Sequence, residues 1–300
     1  MPAPLPEALP DPTVAAVDAV VTAGPKEEGV KRGWGPFFWV SLAWVAAMIL
    51  LAILAKLLPL PDPNLPGSAA NLPLSIHHLL GTDELGRDEL ARIIFGARVS
   101  LTVGFASIAI GLAFGGLIGL VAGYYRGRTD RVLMAVVDVM LAFPPLVFTL
   151  ALIAFLGQSL FNVTIAIAVI SIAPIARIVR ASTLTFAERD FVVAARTLGA
   201  KDRRIILREI LPNVAIPIGA FSFIAIALAI VGEGALAFLG QSVKAPTATW
   251  GGMISQGRNF LQDNPQLSLI PSAFMFITVL ALNFVGDRIR SLFDVREVQV

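Results

Sequence analysis

The chain has 300 residues, of which 56% are hydrophobic and 15% charged, and its net charge at pH 7 is +2. Soluble domains carry about 25% charged residues, and this apolar excess is too large for one soluble core, so the composition indicates a membrane protein. The sequence contains no Cys, which excludes disulfides and thiolate metal sites. Its two His residues, His77 and His78, are adjacent rather than spaced as zinc ligands, and the small net charge does not favour nucleic-acid binding.

The N-terminal segment, residues 1–33, is rich in Pro and Ala with scattered charge, a composition typical of disordered tails. A basic pair, Lys31 and Arg32, precedes an apolar run, as in a signal peptide. The run 36–58 is longer than the apolar region of a signal peptide, and no small-residue cleavage site follows closely. We therefore predict a retained membrane helix. The predicted units are a cytoplasmic tail (1–33), the first helix with an extracytoplasmic segment (34–98), and a transmembrane domain (99–300).

Six apolar runs are long enough to cross about 30 Å of hydrocarbon as helices. An all-α membrane bundle of six spans is the predicted fold class. The runs are 36–58, 99–125, 132–156, 160–180, 214–240 and 267–286.

The distribution of Lys and Arg predicts the orientation of the spans. With the N-terminus inside, 17 of the 23 basic residues fall in inside segments, and every inside loop agrees. The prediction is a multi-pass membrane protein with both termini in the cytoplasm.

A strip of small residues runs along the second span, because small side chains recur at every fourth position. This glycine strip consists of Ser107, Gly111, Gly115, Gly119 and Gly123. Such a strip lets another helix backbone approach closely. The partner helix is expected within this subunit, and a second transmembrane subunit is the alternative.

The segment before the second span contains a further helical signal. Asp88 is a candidate cap for a short amphipathic helix that includes Leu90, Ile93 and Ile94. We expect this helix on the outer surface, where it seals the mouth of the bundle, contacts a substrate-binding protein or rests at the membrane interface.

Two acidic residues lie inside predicted spans, where charge is costly unless it faces a partner or a wet cavity. Asp138 is expected to form an ion pair with Arg131 or Arg177, and facing a wet cavity is the alternative. Glu233 is expected either to pair locally or to face such a cavity, and the two alternatives are equally weighted.

Proline residues interrupt two spans, because each removes a backbone N–H and bends its helix. Pro144 and Pro145 lie in the third span and Pro174 in the fourth. They are interpreted either as fixed kinks or as hinges near a gate.

The loop 181–212 predicts a helix–turn–helix. Asp190 is a candidate cap for a first helix, Gly199 suits the left-handed residue that ends it, and Asp202 is a candidate cap for a second helix that Pro212 ends. The first helix has one apolar stripe, formed by Phe191, Ala194, Ala195 and Leu198, and basic residues on its other faces. Composition leaves two interpretations open: an interfacial helix on anionic lipid, or a docking element for a cytoplasmic partner.

The same loop carries a family resemblance. The run 190–200, followed by Ile210, Leu211, Pro212 and Asn213, resembles the coupling loop of ABC importer permeases, with Val193 where many members have Glu. The resemblance implies that residues of this loop dock on the ATPase subunit. They are Asp190, Phe191, Ala194, Ala195, Arg196, Leu198, Gly199, Ala200 and Lys201.

Other stretches resemble the "C"-type permease of dipeptide and oligopeptide importers. These are 80–101, Glu233 to Gly240 with Trp250 and Gly251, and a C-terminal pattern that includes Asn283, Gly286 and Asp287. Departures at Gln241, Ser242, Ala245, Ala248 and Val295 affect the expected shape of the outer loop rather than the family. The resemblance covers residues 36–300.

The resemblance implies the type I importer permease fold, a place in the bacterial plasma (inner) membrane and a peptide-transport function by alternating access. With that function, Asp138 and Glu233 become candidates to line the translocation path, where Glu233 would contact the amino terminus of a transported peptide. The implied partners are a second homologous permease, two cytoplasmic ATPases that bind ATP and Mg, an extracytoplasmic peptide-binding protein and the lipid bilayer. This chain itself is expected to bind no cofactor and no metal.

Alternative functions are less well supported by the residues. Related permeases carry glutathione or nickel complexes, so the cargo stays open. The sequence has no G-x-x-x-x-G-K-[ST] loop for ATP, and both His lie outside the spans, so an enzyme is not expected. A secondary transporter driven by an ion gradient would show paired inverted repeats, which the sequence does not display convincingly.

Overall fold

The computed structural model describes residues 35–67 and 69–297, so the predicted disordered tail, residues 1–33, lies outside the described residues. Within the described ranges the chain is helical, without a β-strand. The helices are α1 (Pro36–Leu54), α2 (Glu89–Tyr125), α3 (Gly127–Ala142), α4 (Pro145–Leu156), α5 (Leu160–Ala187), α6 (Asp190–Thr197), α7 (Asp202–Phe238), α8 (Trp250–Gly257) and α9 (Gln266–Glu297).

Five helices (α1, α2, α5, α7 and α9) are each long and apolar enough to span a membrane, which agrees with five of the six predicted spans. The predicted third span, 132–156, is not one helix. It consists of α3 and α4, which are bent by 86° relative to each other. Pro145 is the first residue of α4 and Pro144 has extended backbone, so the helical hydrogen bonds cannot continue across the pair. The predicted kink is thus a complete break.

The second span begins earlier than predicted. Asp88 does cap a helix, because its carboxylate accepts a hydrogen bond from the Ala91 amide at 2.8 Å. That helix is not a separate surface element: it continues without interruption from Glu89 to Tyr125, and Ile93 is 1% exposed. Its first turns are therefore packed inside the protein and rigidly joined to the span.

Pro212 does not end the second helix of the loop, contrary to the prediction. The segment Ile205–Ile210 is a π-helix, in which the Leu211 amide donates to the Ile206 carbonyl, and the chain passes directly into the span. Pro212 is tolerated because it follows the wider turn and occupies the first turn of the next α-helical segment. The loop and the span consequently form one helix, α7.

The glycine strip packs against α5 of the same subunit, as the favoured prediction states. A Cβ atom placed on Gly115 would lie 2.5 Å from the Ile172 carbonyl oxygen, and one on Gly119 would lie 2.5 Å from the Ala176 carbonyl oxygen. Only glycine permits this approach of two backbones. The result is an α2–α5 pair that is closely packed along much of its length.

Two apolar clusters fill the bundle. The larger one joins α1, α2, α5, α7 and α9 around fully buried side chains such as Ile230, Trp250 and Leu282. The second cluster lies at the C-terminal end of α2. It packs Leu120 of α2 and Val179 of α5 against Val192 of α6 and Ile205 of α7, and thereby fixes the loop 190–210 to the bundle.

Candidate functional site

The loop predicted to dock on a partner forms two helical arms, α6 and the first turns of α7, joined at Gly199. We call residues 190–210 the elbow. Gly199 has a φ of +79°, the left-handed conformation that glycine adopts without strain. Its amide donates to the Arg196 carbonyl and the Ala200 amide donates to the Ala195 carbonyl, each at 3.0 Å. These two bonds form the Schellman motif, so the predicted end of α6 is confirmed.

The starts of the two arms differ from prediction. Asp190 is the first residue of α6 rather than its cap, since Arg189 holds the extended capping position without a side-chain cap bond. Asp202 is likewise the first residue of α7, and its carboxylate instead accepts a hydrogen bond from the Tyr124 hydroxyl at 2.7 Å. Both carboxylates still lie in a first helical turn, where negative charge is favourable.

The predicted apolar stripe of α6 faces mainly away from the protein. Val192, which is fully buried, attaches α6 to the bundle, while Leu198 is 87% exposed and Val193 is 54% exposed. Asp190, Val193, Ala194, Thr197 and Leu198 line a shallow open depression. We call these five residues the docking face. Among the described residues no other element covers this apolar surface, and exposed apolar patches of this kind are common at interaction sites.

Arg196 points toward the bundle instead of the docking face. Its guanidinium lies 5.8 Å from the centroid of the Tyr124 ring, within the range of a cation–π contact. Lys201, Arg203 and Arg204 are exposed on the second arm. The elbow therefore has basic residues on sides other than its apolar face, as the sequence indicates.

At the opposite end of α2, charged side chains are buried together. We call Asp83, Arg87, Arg92 and Gln256 the charged cluster. The Asp83 carboxylate accepts from Arg87 Nε at 2.6 Å and lies 3.3 Å from Arg92 Nε, and Arg92 also donates to the Gln256 side-chain oxygen at 3.1 Å. Arg92 is 1% exposed. The cluster fixes the segment before α2 to α8, which supplies Gln256.

Glu84 stands beside this cluster. Burial, and then the neighbouring Asp83 carboxylate, raise the pKa of Glu84. His78 adds a further contact, because its Nδ1 lies 2.9 Å from the Asp88 carboxylate that caps α2. These polar groups hold the segment 78–88 in a fixed conformation.

Glu233 is fully buried within this subunit. Its carboxylate accepts hydrogen bonds from the Ser242 hydroxyl at 2.6 Å and the Ser100 hydroxyl at 3.1 Å. Ser100 in turn accepts from the Trp250 amide at 3.2 Å. This local network joins α2, α7 and the start of α8, and it corresponds to the local-pairing interpretation of Glu233.

Asp138 forms an ion pair with Arg177, whose Nη2 lies 2.6 Å from its carboxylate. Both side chains are more than half exposed. Neither Asp138 nor Glu233 lines the cavity of about 350 Å³ between α4, α5 and α7. Pro145 and Pro174, two of the predicted hinge residues, do line it. The structure therefore brings these prolines together on one apolar surface and leaves the two acidic residues apart from it.

Sequence reasoning missed two residues that hold the elbow, Val192 within it and Tyr124 of α2. Val192 lies beside the predicted stripe. Ala195 and Gly199 follow it by three and seven residues, a spacing that puts all three on one side of a helix and could have predicted that this side of α6 faces the bundle. Tyr124 gave no signal, since its contact with Asp202 joins positions 78 residues apart in sequence. The charged cluster was missed for the same reason.

The sequence of this chain matches a known protein family and several of its members. The family described as "binding-protein-dependent transport system inner membrane component" matches residues 115–298. The dipeptide transport system permease protein DppC of Alkalihalophilus pseudofirmus is 38% identical over 262 residues, covering 85% of this chain and 84% of that protein. The glutathione transport system permease protein GsiD of Pectobacterium atrosepticum is 35% identical over 268 residues, covering 87% of this chain and 89% of that protein.

A solved structure supports the fold. The MetNI methionine ABC transporter in an inward-facing conformation matches with a TM-score of 0.57 and 20% identity, covering 67% of this chain and 95% of that chain. The family match spans more than half of the chain and agrees with the long apolar helices. This chain therefore belongs to the inner-membrane permease components of binding-protein-dependent transport systems.

Proposed function

We propose that this permease is one subunit of an ATP-driven peptide importer and that its elbow docks on a cytoplasmic ATPase. The observation that carries the docking proposal is the docking face, with Leu198 87% exposed. An isolated eight-residue helix is marginal in water, so the anchoring of α6 through buried Val192 is what holds this face in a defined position. An exposed face on a helix that is anchored to the bundle suits a partner whose movement is transmitted to the permease.

The proposed assembly contains a second homologous permease, two ATPase subunits that bind ATP and Mg, and an extracytoplasmic peptide-binding protein. The family description supports a binding-protein-dependent system, and the solved structures with a similar fold are of ABC transporters. This chain supplies half of the translocation path and binds no cofactor itself. The distribution of Lys and Arg supports an orientation with both termini and the elbow in the cytoplasm.

In the proposed mechanism, the permease alternates between inward-open and outward-open arrangements. Closure of the ATPases on ATP moves the elbow, and the elbow moves the spans to which it is joined. This transfer requires that the ATPases bind the two arrangements with different affinities, since a ligand shifts an equilibrium only through that difference.

Peptides are the proposed cargo because relatives with names that specify dipeptide or peptide transport are 38% identical to this chain. Glutathione is a second candidate, favoured by relatives named as glutathione permeases at 35% and 36% identity. The test is uptake of a labelled dipeptide into right-side-out vesicles loaded with ATP, with glutathione as competitor. Competition distinguishes the two cargoes, and uptake that persists with the proton gradient collapsed excludes a proton-driven mechanism.

A single-cysteine crosslink tests the docking proposal. Because the chain contains no Cys, Leu198→Cys introduces one reactive thiol on the docking face. In native membranes, we expect a thiol-to-amine crosslinker at this position to capture a protein that hydrolyses ATP. Ile76→Cys is the matched control, since Ile76 is 89% exposed but lies in the predicted extracytoplasmic segment.

Mass spectrometry and a nucleotide-hydrolysis assay identify the captured protein. We expect Leu198→Asp to reduce the amount of ATPase that copurifies with the permease by at least about tenfold, since it puts a charge into an apolar contact. Equal capture from Ile76→Cys, or full copurification with Leu198→Asp, would contradict docking at this face.

A further inference from the structure

Tyr124 is the residue of α2 that contacts both arms of the elbow. Its hydroxyl donates to the Asp202 carboxylate at 2.7 Å, on the second arm. The Arg196 guanidinium, on the first arm, lies over the Tyr124 ring at 5.8 Å from its centroid. The ring itself is 8% exposed and packs into the second apolar cluster. One side chain thus contacts both sides of the turn at Gly199.

The contact with Tyr124 helps to define how the two arms lie relative to each other across the turn at Gly199. Among the described residues, no atom lies within 4 Å of the place where a Cβ on Gly199 would stand, so the turn itself is not packed against the bundle. Val192 holds the first arm and Ile205 holds the second, both through apolar contacts that allow small displacements. The hydrogen bond to Asp202 is directional and involves a charged acceptor, so it defines the position of the second arm more sharply.

The helix that carries Tyr124 is well suited to receive a displacement. α2 packs backbone to backbone on α5 through the glycine strip, so movement of its C-terminal end is passed to α5. Asp130 of α3 accepts two hydrogen bonds from the Arg180 guanidinium of α5, which joins a third helix to this pair. A force on Tyr124 therefore reaches three helices.

We infer that Tyr124 is a positioning residue for energy coupling: it holds both arms of the elbow against α2 and transmits the movement of the docking face to the α2–α5 pair. This inference rests on the proposed function. It adds a specific route, from the elbow through the Tyr124 hydroxyl and Asp202, to the general expectation that the elbow moves the spans.

The test uses the complete importer, purified through a tag on this chain and reconstituted into proteoliposomes. The readout is the coupling ratio, the amount of peptide transported per ATP hydrolysed. We expect Tyr124→Phe to lower this ratio by about fivefold, the factor equivalent to one hydrogen bond of ordinary strength. Tyr125→Phe is the matched control, because Tyr125 is 52% exposed and the variant keeps its ring, whose centroid lies 5.1 Å from that of Tyr124 in an edge-to-face arrangement.

The second partner of the bond supplies an independent check. Asp202→Ala should lower the coupling ratio as Tyr124→Phe does, and Asp202→Asn, which keeps an acceptor oxygen, should restore part of it. The double variant Tyr124→Phe with Asp202→Ala should be no worse than either single variant, because both remove the same bond.

Two results would overturn the inference. One is an unchanged coupling ratio in Tyr124→Phe, which includes the case in which transport and hydrolysis fall in equal proportion with less assembled complex and the role is purely structural. The other is additive losses in the double variant. Failure of the docking proposal is distinguishable. If Leu198→Asp keeps the ATPase bound, docking fails. If it releases the ATPase while Tyr124→Phe leaves the ratio unchanged, only the role of Tyr124 fails.

Discussion

The two ends of α2 are held in opposite ways. At the N-terminal end, the charged cluster buries Arg87 and Arg92 beside the Asp83 carboxylate, with both arginines at most 3% exposed. At the C-terminal end, the pair between Arg126 and Glu188 is 44% and 70% exposed, and the elbow is held mainly by apolar side chains. Buried charges are costly to separate, whereas exposed pairs exchange with water at little cost. The difference indicates a fixed end and an adjustable end of one long helix.

The largest expected effect comes from breaking the fixed end. Asp83→Ala leaves two buried guanidinium groups without their carboxylate, so we expect the free energy of unfolding to fall by about 3–5 kcal/mol. Thermal unfolding in detergent, followed by size-exclusion chromatography, measures the loss. Asp62→Ala is the control, because Asp62 is exposed and accepts only from the nearby Asn64 amide. Similar stability of the two variants would show that the charged cluster does not make the N-terminal end of α2 the more firmly fixed end.

A smaller effect is expected in the middle of α2. In Gly119→Ala the new methyl group would lie 2.5 Å from the Ala176 carbonyl oxygen and 2.8 Å from the Arg180 amide nitrogen. Forcing the helices apart should cost about 1–3 kcal/mol in unfolding free energy. Gly116→Ala, three residues away with no atom near the added methyl, should be neutral or slightly stabilising.

The same melting assay applies to both glycine variants. If Gly119→Ala and Gly116→Ala melt at the same temperature, the close packing of α2 on α5 would be refuted. The rigid connection between the two ends of α2 would then be lost as well.

The smallest effect is expected at the adjustable end. Glu188→Gln removes the charge that pairs with Arg126, and we expect a change in unfolding free energy below about 0.5 kcal/mol that disappears at high salt. Melting temperatures at low and high ionic strength test this expectation. A loss comparable to that of Asp83→Ala would show that both ends are equally fixed.

The sequence predicted the features that depend on local pattern. The length of the apolar runs predicted five of the spans as single helices, and the recurrence of small residues at every fourth position predicted the glycine strip. Gly199 predicted the end of α6. Each follows from the chemistry of consecutive or regularly spaced residues. The direction of the α6 stripe could not be obtained in this way, because periodicity identifies a face without identifying what covers it.

Long-range contacts and backbone hydrogen bonding account for the other differences. Asp83 and Gln256 are far apart in sequence, and nothing local indicates that they share a buried cluster. Pro144 with Pro145 predicts a bend in one span, but the pair interrupts the helical hydrogen bonds completely and α3 and α4 meet at 86°. Pro212 was expected to stop a helix, but a π-helical turn just before it accommodated the ring.

That π-helical turn has a geometric consequence for the docking face. A turn with i→i+5 bonds contains one residue more than its α-helical equivalent, and each α-helical residue corresponds to about 100° of rotation. Removing one residue from Ile205–Ile210 would regularise the turn and swing everything N-terminal to it around the axis of α7. The number of residues in Ile205–Ile210 therefore sets the direction in which α6 points around the axis of α7, whichever side chains α6 carries.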